Sequence, residues 1–343
     1  MIRIDDIRFD SDYYEPLIHF LMNSTGLNLD YYRKKFIEKR IKSRMIRVNC
    51  GTLESYYNYL LENSSETNKF FDCFNINYSV FFRNWEVFRQ FEKIFLSALY
   101  LKNGDIISDL TPNPERQYRV RTKKDSMNSQ NRYKNPKKFR KHSINQILYQ
   151  TSLYRKIWNP SESERHINIW SCPCANGEEP YSIAMILDNL KNQIPKFPQF
   201  RIIASDIDRE AINRAKKGIY NEDSTKSVSK FYENKYFNKE NENFGYTYSI
   251  NKQIKNQVEF IEEDVTRGHQ TSLTYDIIFC RYLLIYFSRR TRKEFSNILR
   301  NRLNPGGLLI LGKTEALNNF QGDLKLIDSY NRIYIKEGDL NIN

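Results

Sequence analysis

One stretch of this chain has the residue types and spacing of a ligand-binding turn: Cys172-Pro173-Cys174-Ala175-Asn176-Gly177-Glu178-Glu179-Pro180-Tyr181-Ser182. Small residues follow an apolar run and lead directly into a helical pattern. A dinucleotide pyrophosphate needs several glycines and an anion-friendly helix start, whereas this turn has one glycine, and Glu178 and Glu179 occupy the start. Phosphate cofactors are disfavoured. A cofactor that carries an ammonium and a sulfonium and no phosphate would be met by a carboxylate there, and the positive helix end helps keep that carboxylate ionised. The same acids with Pro180 also make an ordinary first helical turn.

Further along, Ser205-Asp206-Ile207-Asp208 places acids after a second strand-like run, where a carboxylate can accept both hydroxyls of a ribose. Asp206 is assigned to the ribose and Asp208 to the cap of the next helix. Glu263-Asp264-Val265 follows a third such run in a position suited to an adenine ring and its amine, and Cys280-Arg281-Tyr282 follows a fourth. Cys172 and Cys174 form a Cys-x-Cys pair, but even with His166 they fall one ligand short of a zinc set, so the pair reads as a small-residue turn and no metal is expected.

These residues need a scaffold, and from Ile167 onward its pattern is legible. Strand-like runs at Ile167–Cys172, Phe200–Ser205, Val258–Ile261, Tyr275–Cys280 and Leu308–Gly312 alternate with helical ones at Glu179–Leu190, Arg209–Lys217 and Arg289–Leu303. The alternation predicts a parallel α/β sheet with the ligand beyond the carboxyl ends of its strands. Asn304-Pro305-Gly306-Gly307 is read as the stop of the last helix. Between 218 and 257 the pattern breaks, and Tyr246, Tyr248 and Ile250 alternate as one short strand of an inserted subdomain.

The N-terminal part differs. Leu17, Ile18, Phe20 and Leu21, then Phe36, Ile37 and Ile41, recur at helical spacing, and Thr52 or Ser55 can cap the helix that follows. Arg33, Lys34, Lys35, Lys39, Arg40, Lys42, Arg44 and Arg47 give the second helix a positive face that could dock acidic helices. The expected organisation is a helical domain over 1–102, a basic linker over 103–165, and an α/β domain over 166–343 that contains the 218–257 insertion.

Charge is concentrated in the linker. Between Arg116 and Lys156 there are 13 Lys or Arg and one acid, a sum of +12 against +13 for the whole chain. Such a segment is a solvated connector or an arm for an acidic partner or polyanion, and the connector is the favoured reading. With 40% hydrophobic and 14% aromatic residues, the rest has enough apolar surface for two cores. Five scattered cysteines do not make a disulfide framework, no run reaches the roughly 18 apolar residues of a membrane span, and a cytoplasmic monomer is expected.

Five ordered blocks resemble the CheR family of chemotaxis protein methyltransferases: Asn77-Tyr78-Ser79-Val80-Phe81-Phe82-Arg83, Gly177 to Ser182, Ser205 to Asp208, Phe279-Cys280-Arg281-Tyr282-Leu283-Leu284-Ile285-Tyr286-Phe287, and Pro305-Gly306-Gly307. The resemblance covers the helical part and residues 166 to about 335, with no counterpart recognised for 103–160. It implies an all-α N-terminal domain and a class I, Rossmann-like S-adenosylmethionine methyltransferase domain with a small β-subdomain insertion. It further implies methyl transfer to glutamate side chains on the cytoplasmic helical domain of a methyl-accepting chemotaxis receptor, with the helical domain recognising that receptor and the β-subdomain tethering its tail in some members.

By position in the family motifs, Asn77, Ser79 and Arg83 close over the cofactor, Glu178 meets its methionine end, Asp206 its ribose, and Asp264 and Val265 its adenine. Arg281 and Tyr282 occupy the place of an Arg-Asn pair, so position 282 is a departure. Phe81 and Phe82 are expected to pack at the domain junction. A glutamate, with an ordinary pKa of about 4.3, is already ionised near neutral pH, so the reaction needs positioning and desolvation more than a general base. Arg83 and Tyr286 are the residues expected to orient it. Two rival readings are a catalytically impaired, cofactor-binding sensory adaptor, suggested by Tyr282, and a nucleic-acid methyltransferase, suggested by the basic segment.

Overall fold

The structure, a computed structural model, describes residues 7, 9, 11–74, 78–100, 166–193, 197–242, 245–267, 273–317 and 322–337. The basic stretch 116–156, the linker 103–165 around it, and Asn77 lie outside the described residues. Two compact units are present: Met1–Asn77 with Leu283–Phe295, and Tyr78–Tyr282 with Ser296–Asn343.

The first unit is helical. Its helices are α1 (Ser11–Thr25), α2 (Lys34–Arg47), α3 (Leu53–Glu62) and α4 (Ser65–Phe74). Leu17 and Leu21 of α1, Ile37, Ile41 and Met45 of α2, Leu53, Tyr56 and Leu60 of α3, and Phe70 of α4 are buried, each set at the spacing that puts one helix face inward. Thr52 caps α3 reciprocally with Ser55, which satisfies amides the first turn leaves open. The positive face of α2 loses one expected member. Arg44 turns inward and donates to both oxygens of Glu66, at 2.8 and 2.7 Å, because a buried guanidinium is stable only when paired. The segment Leu283–Phe295 is tied to the chain near Tyr32 by the Arg33 amide, which donates to Tyr286 O at 2.9 Å, and by the Ser288 amide, which donates to Tyr31 O at 2.8 Å.

The second unit has α5 (Trp85–Tyr100), β1 (His166–Ser171), α6 (Glu178–Gln193), β2 (Gln199–Asp206) and α7 (Arg209–Lys217). The insertion follows as β3 (Ile219–Asn221), α8 (Glu222–Thr225), α9 (Lys230–Tyr236), β4 (Phe237–Glu242), β5 (Gly245–Ile250) and α10 (Lys252–Lys255). The unit continues with β6 (Val258–Glu262), β7 (Tyr275–Cys280), the end of α11 (Arg289–Arg302), β8 (Leu303–Leu311), β9 (Leu324–Asp328) and β10 (Ile333–Lys336). Although α5 falls within the stretch expected to be one helical domain, its Val87, Phe88, Phe91 and Phe95 are buried in the core of the α/β unit, so the division precedes Tyr78. Phe81 and Phe82 pack there too, against Tyr220 at 4.8 Å and Tyr232 at 4.9 Å.

The main sheet has the order β6-β2-β1-β7-β8-β10-β9. Its first five strands are parallel, as expected, but β10 runs antiparallel to both neighbours, so the sheet is mixed. The last two strands are short, and β9 has charged residues among its five, which hides them from a pattern search for buried parallel strands. Pro305, Gly306 and Gly307 lie inside β8 and not in a loop; the register against β7 shifts between Tyr275 and Ile277, which accommodates them. The order places a topological switch between β1 and β7, where the chain leaves one half of the sheet for the other, and ligands of open α/β sheets bind beyond the strand tips at such a point. The insertion is a three-stranded sheet, β3-β5-β4, in which Tyr248 and Ile250 of β5 are buried and Tyr246 is exposed.

Candidate cofactor site

The candidate site is built from the tips of β1, β2, β6 and β7 and from the loop 78–84, which hydrogen bonds bring together. Gly177 makes the first turn feasible. Its φ is +95°, and a Cβ there would lie 2.9 Å from Ala215 Cβ and 3.0 Å from Tyr220 Oη, so only glycine lets the turn seat against α7 and the insertion. Arg214 Nε donates to Asn176 Oδ1 at 2.8 Å and the Tyr220 hydroxyl to Asn176 O at 2.6 Å, which fixes the turn from both sides.

The two glutamates after it have opposite fates. Glu179 is neutralised: it accepts from Ser171 Oγ and from Arg281 Nη1, both at 2.9 Å. Glu178 is 1% exposed, and its Oε2 has no hydrogen-bond partner among the described residues. Burial pushes its pKa up to about 7, an effect its own backbone amide and the hydroxyls of Ser79 and Ser224 only partly offset. A buried carboxylate with an orphaned oxygen is the feature a cationic ligand would relieve.

Asp206 is buried as well, and its pKa is raised to about 6, mainly by burial and against the backbone amides that donate to it. Its Oδ2 accepts from the Ala175 amide at 2.8 Å and its Oδ1 from the Asp208 amide at 3.0 Å. The Ile207 amide donates to Asp206 as well, so part of its acceptor capacity is left for a diol. Asp208 caps α7 as expected, accepting from the amides of Glu210 and Ala211. Asp264 accepts from the Thr266 amide at 3.0 Å and pairs with Arg267 Nε at 3.0 Å, while Val265 beside it is buried.

Arg281 commits both terminal nitrogens to the protein, and its buried Nε has no hydrogen-bond partner among the described residues. Buried at the tip of β7, it joins Glu179 to the loop 78–84 by donating through Nη2 to Arg83 O at 2.7 Å and to Asn84 Oδ1 at 2.8 Å. The loop is held on two further sides: the Phe82 amide donates to Ser182 Oγ at 2.9 Å, and the Phe81 amide to Ser224 O at 3.0 Å. Phe82 and Asn84 both have positive φ, 53° and 60°, a conformation that persists only where the surroundings enforce it. The result is one network from Ser171 through Glu179 and Arg281 to the backbone of Arg83.

The donor set fits a methionine-derived sulfonium nucleoside: a half-satisfied acid for an ammonium, an acid at the second strand tip for a ribose and an apolar residue at the third, with no cationic cradle for a phosphate at these tips among the described residues. In comparisons with known families, residues 133–333 match the CheR methyltransferase, SAM binding domain, and residues 12–74 match the CheR methyltransferase, all-alpha domain. The chain belongs to the CheR methyltransferase family. Its α/β domain binds S-adenosylmethionine. The match begins at residue 133, inside the segment for which no counterpart was recognised in the sequence.

A chemotaxis protein methyltransferase of Borreliella burgdorferi is 26% identical over 315 residues, 91% of this chain and 90% of its own. Chemotaxis protein methyltransferase 2 of Vibrio cholerae is 36% identical over 156 residues, 44% of this chain and 52% of the relative. That match and the further ones span little more than half of the relatives' length. A solved glycopeptide N-methyltransferase with bound S-adenosyl-L-methionine aligns over 42% of this chain and 43% of its own, at 10% identity and a TM-score of 0.27.

Of the residues singled out from the CheR motifs, Ser79, Arg83, Glu178, Asp206, Asp264, Val265, Arg281 and Tyr282 all belong to the α/β unit. Tyr286 belongs to the helical unit, half-buried, with its ring 4.9 Å from Phe36. The sequence reading missed Asn84, Ser224 and Glu315. Glu315 is buried and holds the amides of Tyr282 and Gly312 through one oxygen, both at 2.7 Å. An acid three residues past a glycine at a strand end was the available signal; for Ser224, inside the insertion, no local pattern exists.

Proposed function

We propose that this methyltransferase transfers the methyl group of S-adenosylmethionine to glutamate side-chain carboxylates on the cytoplasmic helical domain of a methyl-accepting chemotaxis receptor. The observation that carries the reading is the buried, half-satisfied Glu178 at the β1 tip, in a chain of this family. The cofactor, when bound, supplies an electrophilic methyl on a sulfonium. Glu178 would pair with the ammonium of its methionine part, Asp206 with the ribose hydroxyls, and Val265 with the face of the adenine, while Ser79 and Arg83 lie over the methionine end.

A glutamate near neutral pH is already a nucleophile, so these residues need to orient it and keep water from it. Arg83 would guide the incoming carboxylate by a single contact, since a tight bidentate clamp would stabilise the ground state as much as the transition state. Tyr286 is assigned to the same task by its place in the family motif alone. The exposed positive residues of α2 suit acidic receptor helices, and a monomer acting in the cytoplasm suits such a substrate. Residues 116–156, with a charge of +12, would add a contact to an acidic partner or polyanion.

Incubation with methyl-labelled S-adenosylmethionine and receptor cytoplasmic fragments tests this. The expected product is a base-labile methyl ester on glutamate, and Arg83→Ala should reduce its formation by about a hundredfold without unfolding the chain. Label that is stable to base, or found on nucleic acid, would refute the assignment.

A further inference from the structure

Tyr282 stands in a backbone conformation, φ +64°, that bulky side chains rarely adopt. Three contacts keep it there. Its amide donates to Glu315 Oε2 at 2.7 Å. Gly312 leaves the room for this, because a Cβ at 312 would lie 2.7 Å from that oxygen and 3.0 Å from Tyr282 Cδ1. Its hydroxyl donates to Asn84 Oδ1, the same oxygen that receives Arg281 Nη2. Its ring lies against Arg83, with 3.8 Å between the ring centroid and the guanidinium carbon.

Two of the three contacts therefore bear on Arg83 or on the residue beside it. Arg83 also has the ring of Tyr78 at 5.4 Å, and its Nη1 donates to Tyr78 O at 3.0 Å. A guanidinium seated on a ring face is stabilised without spending its N–H groups. Among the described residues, Nε and Nη2 of Arg83 have no acceptor, so those donors remain for a carboxylate.

We propose that Tyr282 is a positioning residue: its ring seats the Arg83 guanidinium so that one free N–H group meets the carboxylate of the bound cofactor and the other stays available to the incoming one, a task the short side chain of the family's Arg-Asn pair cannot perform through a ring face. The inference rests on the assignment of this site to S-adenosylmethionine. It gives the departure at position 282 a function in place of a defect. Tyr282 acts through Arg83, so its loss should have no further effect once Arg83 is gone.

The test is calorimetric titration of the full chain with S-adenosylhomocysteine. Tyr282→Asn suits the left-handed backbone and removes the ring, so the chain should melt no lower than the wild type, yet bind about tenfold more weakly. Tyr282→Phe restores the ring and should recover most of that loss. In an Arg83→Ala background, Tyr282→Asn should change the affinity by less than about twofold, as expected when one residue acts only through the other. Should the Asn chain not fold, Tyr282→Gly, which is free to adopt this φ and also lacks the ring, takes its place in the cycle. Equal affinity in wild type and the ringless variant, or additive losses in the cycle, overturns the role of Tyr282 alone. A wild-type chain that fails to bind the probe overturns this inference and the assignment of the site together.

Discussion

Each unit of this protein buries a glutamate, and the two are treated in opposite ways. In the helical unit Glu66 is 1% exposed, receives both donors of Arg44, and takes the Tyr56 hydroxyl at 3.1 Å. In the α/β unit Glu178 is equally buried, yet one of its oxygens has no partner among the described residues and its pKa has moved up to about 7. The first is a structural pair whose charge is met within the fold. The second is a cost the fold carries until a cation arrives, which is how a binding site differs from a core.

The same substitution should therefore have opposite signs in the two places. Glu66→Gln leaves the Arg44 guanidinium buried without a counter-charge and should destabilise the chain by about 3 kcal/mol, read as a lowered denaturant midpoint. Glu178→Gln should do the reverse. The folded pKa of Glu178 lies above the ordinary 4.5, so its ionisation costs stability that is present below pH 4.5 and lost as pH rises through about 7. At pH 8 the Gln variant should be more stable than the ligand-free wild type by about 1–3 kcal/mol, with cofactor affinity lost by about a hundredfold. A lower melting temperature for Glu178→Gln at pH 8 would erase the contrast between the two acids. Gly177→Ala sharpens it from the side of shape: a Cβ pressed against Ala215 and Tyr220 at a φ of +95° should cost about 1–3 kcal/mol and displace Glu178, which differential scanning calorimetry and a binding titration can both detect.

The parts of this arrangement that were legible in the sequence are those governed by local rules. Asp208 reads as a helix cap and is one, and the turn at Gly177 precedes its helix as the small residues imply. Buried parallel strands such as Tyr275–Cys280 announce themselves as continuous apolar runs. What stayed hidden depends on partners distant in the chain. Nothing near Arg44 marks it as the member of the basic helix that turns inward, since its partner lies on another helix. Glu178 and Glu179 are adjacent and chemically identical, and only Arg281, 102 residues beyond Glu179, decides which of them is satisfied. The antiparallel strands escaped for two reasons: β9 is an edge strand that mixes charged and apolar residues, and β10 is a mostly apolar run of only four residues.

The central claim is that Glu178 is held ready for the ammonium of the cofactor, and the pH dependence of S-adenosylhomocysteine binding tests it most directly. An ionised Glu178 binds and a protonated one does not, so the dissociation constant should be flat above about pH 7.5 and rise as pH falls through 7, steepening near 6 where Asp206 also takes up a proton. The Glu178→Gln chain should bind weakly and lose the inflection near 7. Affinity that does not change between pH 6 and pH 8, or a Gln variant that binds as tightly as the wild type, would contradict the account.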